Sequence, residues 1–272
     1  MTATVSFLYD TFYNRRRITG RLITLTPLRI GSGEAVPDPT AIDNPVIRDA
    51  YGRPFIPGSS FKGVWRSFAE QVLGRREDGT RGCCDPLSEP CLSNETIKQL
   101  KKKYKERRQL AIEIYTELCP ACRIFGSSHF AGRLRIRDLI LDGSTWPGYC
   151  EVRPGVAIDR DTRTAYTKRK YEIEAVPAGT TFIFEAIVEN ASDEEWRDIL
   201  LSLLPFSRGE LPLGGCTGRG LGRVRLENIQ VASVTATNLR EFLTLGWNGI
   251  SAVDLQNACR EAGLVMGGAM GV

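Results

Sequence analysis

The chain has 272 residues, 42% apolar and 25% charged, as expected of a globular protein with one large elaborated domain or two small ones. Its 36 Lys and Arg against 32 Asp and Glu leave a net charge of +4, too small an excess to indicate nucleic acid by itself. The single histidine, His129, excludes a histidine-based triad and a multi-histidine metal centre.

No apolar run approaches the roughly 20 residues that cross a bilayer, so no membrane partner is expected. Residues 1–17 lack the apolar core and small-residue cleavage site of a secretory leader. A cytoplasmic location is expected, with the eight cysteines serving as thiols or metal ligands rather than disulfides.

The first predicted element is a strand over Arg17–Arg29, with Ile18, Gly20 and Leu22 alternating against Thr19, Arg21 and Ile23. Gly31-Ser32-Gly33 ends it, and Glu34–Asn44, with two prolines and no apolar period, reads as an exposed loop. A short run Pro45–Arg48 precedes a turn at Gly52 and Pro54. Phe61, Val64, Trp65, Phe68, Ala69, Val72 and Leu73 then form an apolar stripe at helical spacing, with Ser59 or Ser60 suited to cap the helix.

A cysteine-containing segment, Gly82–Cys122, encloses a predicted basic helix from about Glu95 to Leu118. Strands are predicted at Arg133–Leu141, near Gly155–Asp159 and at Thr180–Glu189, with a projecting polar hairpin or loop at Arg160–Lys170. Ser192 and Glu195 make a capping box ahead of Trp196, Ile199, Leu200, Leu203 and Leu204. Gly214–Gly222 leads into a strand over Arg223–Gln230, followed by a helical segment and a glycine-rich tail. This order fits an α+β sandwich of ferredoxin type with long insertions, and no linker divides the chain.

Four features carry chemistry. The amides at the start of the Ser59 helix have no intrahelical partner and favour an anion; Ser59, Ser60, Lys62 and Arg66 decorate that end, with Lys62 and Arg66 one turn apart. Read as residues alone, they also fit a capped helix with two solvated cations. The glycine cluster with Arg219 and Arg223 suits close approach to a phosphate, although it is neither a Walker loop nor a dinucleotide fingerprint, and a simple turn has the same composition.

Cys119-Pro120-Ala121-Cys122 is a C-x-x-C knuckle, and Cys83, Cys84 and Cys91 lie across a helical excursion from it. Two pairs of thiolates suit tetrahedral zinc, and Cys84, Cys91, Cys119 and Cys122 are the preferred set over one that uses Cys83. Such a metal contributes folding energy rather than catalysis. The loop Glu34–Asp49 carries Glu34, Asp38, Asp43 and Asp49, any of which suits a divalent cation beside an RNA backbone or stands as an inert surface group. Lys98–Arg108 holds seven basic residues against Glu106 and reads either as a solvated helix face or as a phosphate-contacting patch.

In order along the chain, Gly20, Leu28–Gly33, Ile42–Asp49 and Ile56–Gly63 resemble the N-terminal signature of RAMP-superfamily backbone subunits of type III CRISPR effector complexes. Cys119–Gly126 resembles their zinc knuckle and following Phe-Gly, Val156–Arg160 the start of their thumb, and Gly214–Val224 their C-terminal glycine-rich loop. The resemblance implies one domain over residues 1–272: a modified ferredoxin-like, RNA-recognition-type fold with a zinc-binding insertion at about 74–130 and a thumb β-hairpin at about 153–178. It implies stacking of neighbouring RAMP subunits along a guide RNA, with other effector subunits, and cutting of complementary single-stranded target RNA.

Asp43 falls at the family's catalytic aspartate, and cleavage is expected to need Mg2+ or another divalent cation. Ser59, Ser60, Lys62, Arg66, Arg160, Gly218 and Arg219 fall at guide contacts. A catalytically silent guide-RNA scaffold is the alternative within the same family. A standalone guide-processing ribonuclease, which would draw on His129 as a base, is a third reading.

Overall fold

In the computed structural model, residues 8–31, 44–74 and 82–265 are described. In chain order the elements are β1 (Asn14–Thr24), α1 (Gly58–Leu73), α2 (Asn94–Lys103), α3 (Arg107–Thr116), α4 (Pro120–Phe125), β2 (Leu134–Ile136), β3 (Ile140–Leu141), β4 (Glu151–Ile158), β5 (Ala165–Ala175), β6 (Thr181–Glu189), α5 (Asp193–Arg208), β7 (Val224–Thr235), α6 (Leu239–Leu245), β8 (Ala252–Asp254) and α7 (Leu255–Glu261). The main sheet runs β2-β6-β1-β7-β8, with β3 also on β6, while β4 and β5 form a separate two-stranded sheet. Its strand pairs are antiparallel. The fold is therefore mixed α/β with antiparallel sheets.

β1 shows how the sequence builds the sheet. Its period-two pattern sends Ile18 and Leu22 inward, while Arg15, Arg17 and Arg21 take the other face. The inward face meets two helices. Phe61 of α1 stacks on Phe206 of α5 at 4.6 Å between ring centres and lies 5.1 Å from Phe184 of β6. Trp65 is buried, and its indole N–H donates to Ser202 Oγ at 2.8 Å, so the one polar atom of that ring is satisfied.

The opposite face is ionic. Arg15 and Arg135 flank Glu189, Arg17 and Arg137 flank Glu185, and Arg21 meets Asp142. The C-terminal segment covers part of this face, placing Phe242 over Arg15 and Trp247 over Arg17.

Several boundaries differ from expectation. The strand predicted over Arg133–Leu141 is two short strands, because Asp138 between them turns its carboxylate onto the Gly58 amide at 2.8 Å. That contact also corrects the predicted cap: Pro57 occupies the N-cap of α1, neither Ser59 nor Ser60 caps it, and a distant aspartate supplies the acceptor. The predicted basic helix is two, α2 and α3, broken at 104–106. The capping box of α5 is present as read, with Ser192 and Glu195 bonded reciprocally.

Among the described residues, no helix is long and apolar enough to cross a membrane.

Candidate nucleic-acid interface and metal centre

Two sites can be built from the residues. The first lies where the β4–β5 hairpin leaves the sheet. Residues 28–31 pair with the chain on both sides: Leu28 bridges Val176 just beyond β5, and Gly31 bridges Val46. Ile47 N–H donates to Ile30 O at 2.9 Å. The two ends of the segment 32–43 are thereby held side by side.

Asn44, at one of those ends, is fixed on three sides. Its carbonyl accepts from Glu174 N–H at 3.1 Å, its side-chain amide donates to Glu172 O at 3.1 Å, and Arg29 donates to its Oδ1 at 3.0 Å. Glu174 in turn accepts from Val46 N–H at 2.8 Å and pairs with Arg48. Asp43, Glu34 and Asp38 lie outside the described residues, but Asp43 is the immediate neighbour of this anchored asparagine. Asp49 is already engaged: it accepts from Tyr51 and Arg53 amides and pairs with the Arg53 side chain, and those bonds hold its carboxyl below the usual range.

The glycine loop closes the site from the other side. Gly215 N–H donates to Arg29 O at 2.8 Å, and a Cβ on Gly214 would stand 2.2 Å from that same oxygen. Only glycine permits this approach, and Gly214 also sits at φ +81°. Beyond it, Gly218 and Arg219 form an exposed 3-10 turn, Thr217–Arg219. Arg219 reaches to β5, donating to Tyr171 Oη at 2.8 Å with its guanidinium over the ring. The Tyr171 ring in turn packs against Gly155 of β4, where a Cβ would fall 2.3 Å from it.

The remaining expected contacts lie on other elements. Arg160 is exposed in the turn of the hairpin, which Asp159 stabilises by accepting from the amides of Asp161 and Thr162. Ser59 is exposed and Ser60 half-buried on the first turn of α1. Lys62 is half-buried, and burial, with Arg66 and Arg135 nearby, pulls its ammonium pKa down. An anion beside it would relieve that strain on the charge.

Arg66 donates to Glu70 at 2.8 Å, to Gly126 O at 2.9 Å and to Cys122 Sγ at 3.5 Å, so its guanidinium faces the cysteine helix. His129 lies in the Ser127–Phe130 turn after α4.

The second site is the cysteine cluster. The Sγ atoms of Cys84, Cys91, Cys119 and Cys122 lie within 4.8 Å of one another. Cys84 stands 3.4 Å from Cys122 and 3.8 Å from Cys119, and the Cys119 amide donates to Cys91 Sγ at 3.3 Å. Sulfurs bound tetrahedrally at about 2.3 Å sit about 3.8 Å apart, so the cluster fits a four-thiolate metal ion.

Burial pushes the Cys91 thiol up to about 12, whereas donation from Cys122 and Cys83 draws the Cys119 thiol far down. A divalent ion with four thiolates carries a net charge of −2, and Arg66 against Cys122 Sγ offsets part of it.

Arg29, Asn44, Tyr171, Glu174 and Asp138 were not singled out by the sequence. The signal for Arg29 and Asn44 was their place inside the resembling motifs; for Tyr171, Glu174 and Asp138 no local pattern existed.

With this geometry in place, its class follows: the chain belongs to the RAMP superfamily, whose family model matches residues 21–225. Among individual relatives it is similar to the CRISPR system Cms endoribonuclease Csm3 of Enterococcus italicus, at 29% identity over 84% of this chain and 98% of the relative. The Csm3 of Methanothermobacter thermautotrophicus is 29% identical over 79% of this chain and 84% of the relative. That of Methanocaldococcus jannaschii is 27% identical over 76% of each. The fold resembles that of a crystal structure of a Csm3-Csm4 subcomplex in the type III-A CRISPR-Cas interference complex, with a TM-score of 0.52 and 21% identity over 95% of this chain.

Proposed function

We propose that this chain is a guide-RNA-binding backbone subunit of a type III CRISPR effector complex and cuts complementary single-stranded target RNA through Asp43. The observation that carries the reading is the anchoring of Asn44, next to Asp43, between Arg29 and the foot of the hairpin, opposite the glycine loop with Arg219. An anchored residue directly beside a carboxylate suits chemistry that depends on positioning. The relatives carry the printed name endoribonuclease, and the solved relative comes from a complex of several subunits.

The chain is read as one domain. Its order β1-α1-β2-β6-α5-β7, with strands arranged β2-β6-β1-β7, supports a modified ferredoxin-like fold. The β4–β5 hairpin is the thumb, and residues 82–125 carry the structural zinc on Cys84, Cys91, Cys119 and Cys122.

Ser59, Ser60, Lys62, Arg160, Gly218 and Arg219 contact guide phosphate and sugar, because a backbone subunit must accept any guide sequence. Arg66 belongs to the same wall but acts by fixing the zinc helix to α1. Neighbouring RAMP subunits and other effector subunits are its protein partners, in the cytoplasm.

Cleavage requires Mg2+ or another divalent cation, which supplies Lewis-acid stabilisation of the phosphate when bound. Asp43 is the carboxylate of this chain that would hold the cation or orient the attacking 2′-hydroxyl, and Arg29 fixes the adjacent asparagine.

The test is target-RNA cleavage by the reconstituted complex with Mg2+, wild type against Asp43→Ala. Loss of regularly spaced products with guide binding retained is the expected result. Unchanged products would place the cut in another subunit and leave this chain as a guide-binding scaffold. Metal-independent cleavage of precursor RNA by the isolated chain, abolished in His129→Ala, would favour guide processing instead.

A further inference from the structure

The net charge of this protein is concentrated in one segment. Residues 98–108 contain seven Lys and Arg and one Glu, a local charge of 7 − 1 = +6. The other 261 residues then carry 29 basic and 31 acidic groups, or −2. The whole positive balance of the chain rests on the end of α2, the start of α3 and the turn between them.

Lys98, Lys101, Lys102, Lys103, Lys105, Arg107 and Arg108 are all exposed. The fold treats them unlike its other cations. Across the sheet, arginines are matched to Glu185, Glu189 and Asp142. In this run Arg108 pairs with Asp10, and among the described residues Lys98, Lys101, Lys102, Lys105 and Arg107 have no carboxylate within ion-pair distance.

Helix electrostatics accounts for part of the run only. Lys101, Lys102 and Lys103 occupy the last turn of α2, where the helix dipole favours cations. Arg107 and Arg108 open α3, where the dipole opposes them. Within α2, Lys98 also repels Lys101 and Lys102 at three- and four-residue spacing. Such an arrangement is relieved by a polyanion laid across the turn.

The segment has a rigid base. Ile97, Leu100 and Ile114 pack with Leu92, Leu118 and the thiols of the cysteine cluster, so the cations project from a fixed platform.

We infer that the α2–α3 face is a second RNA-binding surface, one that takes the phosphate backbone of single-stranded RNA without reading its sequence. The choice of RNA as the polyanion rests on the function proposed above; the surface itself rests on charge and exposure. Condensed counterions leave when lysines and arginines replace them, so binding there weakens steeply with salt.

The test uses the full-length protein and a fluorescent 30-nucleotide oligouridylate, with anisotropy read across a salt series. Three variants are compared with wild type: Lys101→Gln/Lys102→Gln/Lys105→Gln/Arg107→Gln, the same positions with each lysine changed to Arg and Arg107 to Lys, and Arg219→Gln at the glycine loop. The Gln variant should bind about tenfold or more weakly, with a salt slope shallower by about 3, at about 0.7 per lost contact over four contacts. The charge-retaining variant should bind as wild type does.

Unchanged affinity and slope in the Gln variant would overturn the inference. Displacement of the RNA by polyglutamate at equal charge would also overturn it, because the surface would then fit an acidic protein. Loss in the Arg219→Gln variant alone refutes this surface and keeps the guide site. Loss in the Gln variant alone keeps this surface and refutes the guide site.

Discussion

The sheet with α1 and α5 and the cysteine insertion at 82–125 are held together by different means. The sheet region buries a continuous core: Phe61, Trp65, Phe182, Phe184, Leu203 and Phe206 meet between sheet and helices, and the arginines on the outer face are matched by carboxylates. The insertion buries Leu92, Ile97, Leu118 and Cys122 in its own cluster, and among the described residues its Lys98, Lys101, Lys102, Lys105 and Arg107 have no carboxylate within ion-pair distance. Ordering each residue costs about 1–2 kcal/mol, which so few aliphatics do not offset over that length of chain. A region without a sufficient core needs a crosslink, and a metal ion held by the four converging thiols, as proposed above, would provide one.

The largest effect should come from removing that crosslink. Chelation, or Cys119→Ser, should drop bound metal from one equivalent to near zero and unfold α2 and α3, while Ile124 and Phe125 keep α4 on the main core; structural zinc contributes about 10–16 kcal/mol in isolated zinc peptides. Circular dichroism should lose helical signal while the fluorescence of buried Trp65 is retained. Complete loss of both signals would erase the distinction between the two regions. Cys83→Ser sharpens it further: that thiol is buried but outside the four-sulfur set, so metal should stay at one equivalent, whereas Cys84→Ser loses it.

Next in size is Trp65→Ala, which opens the centre of the main core and removes the indole bond to Ser202. A loss of about 3–5 kcal/mol is expected in denaturant titration, equal in chelated and metal-loaded protein. Ser192→Ala removes one half of the α5 capping box and should cost about 1 kcal/mol by the same measurement.

The smallest effect is electrostatic. Burial beside Glu194 lifts the Asp198 carboxyl to about 6, so the folded state binds its proton more tightly than the unfolded chain does. Stability from this group is present at low pH and lost as pH rises from about 4 to about 6. Asp198→Asn should flatten that slope, and an unaltered pH profile would remove Asp198 as its source.

The legible parts of the fold were those with a period. The apolar stripe of α1, the capping box of α5 and the strand β6 stand close to where pattern placed them, because burial on one face leaves a repeat in the sequence. Boundaries failed where a distant residue intervened. The strand at 133–141 is divided by Asp138 reaching Gly58, and the basic helix breaks at 104–106 although its composition continues.

The candidate sites divide in the same way. Cysteine spacing marked the knuckle, and motif order marked the segments around Asp43 and the glycine loop. The spacing of Arg66 from Lys62 is local, whereas its partners Gly126 and Cys122 lie about 60 residues away and leave no local pattern.

By itself the sequence determined the chemistry available to this protein: one histidine, eight thiols, a glycine loop with arginines, and a basic run, in an order resembling one family. Only the tertiary structure decided which of these meet. It chose Cys84 over Cys83 for the thiol cluster, set Asn44 between Arg29 and the hairpin foot, and turned Arg66 toward the cysteines. The physical reason is range: periodicity and capping act over a few residues, whereas thiol convergence, buried donors and close glycine contacts are fixed by segments far apart in the chain.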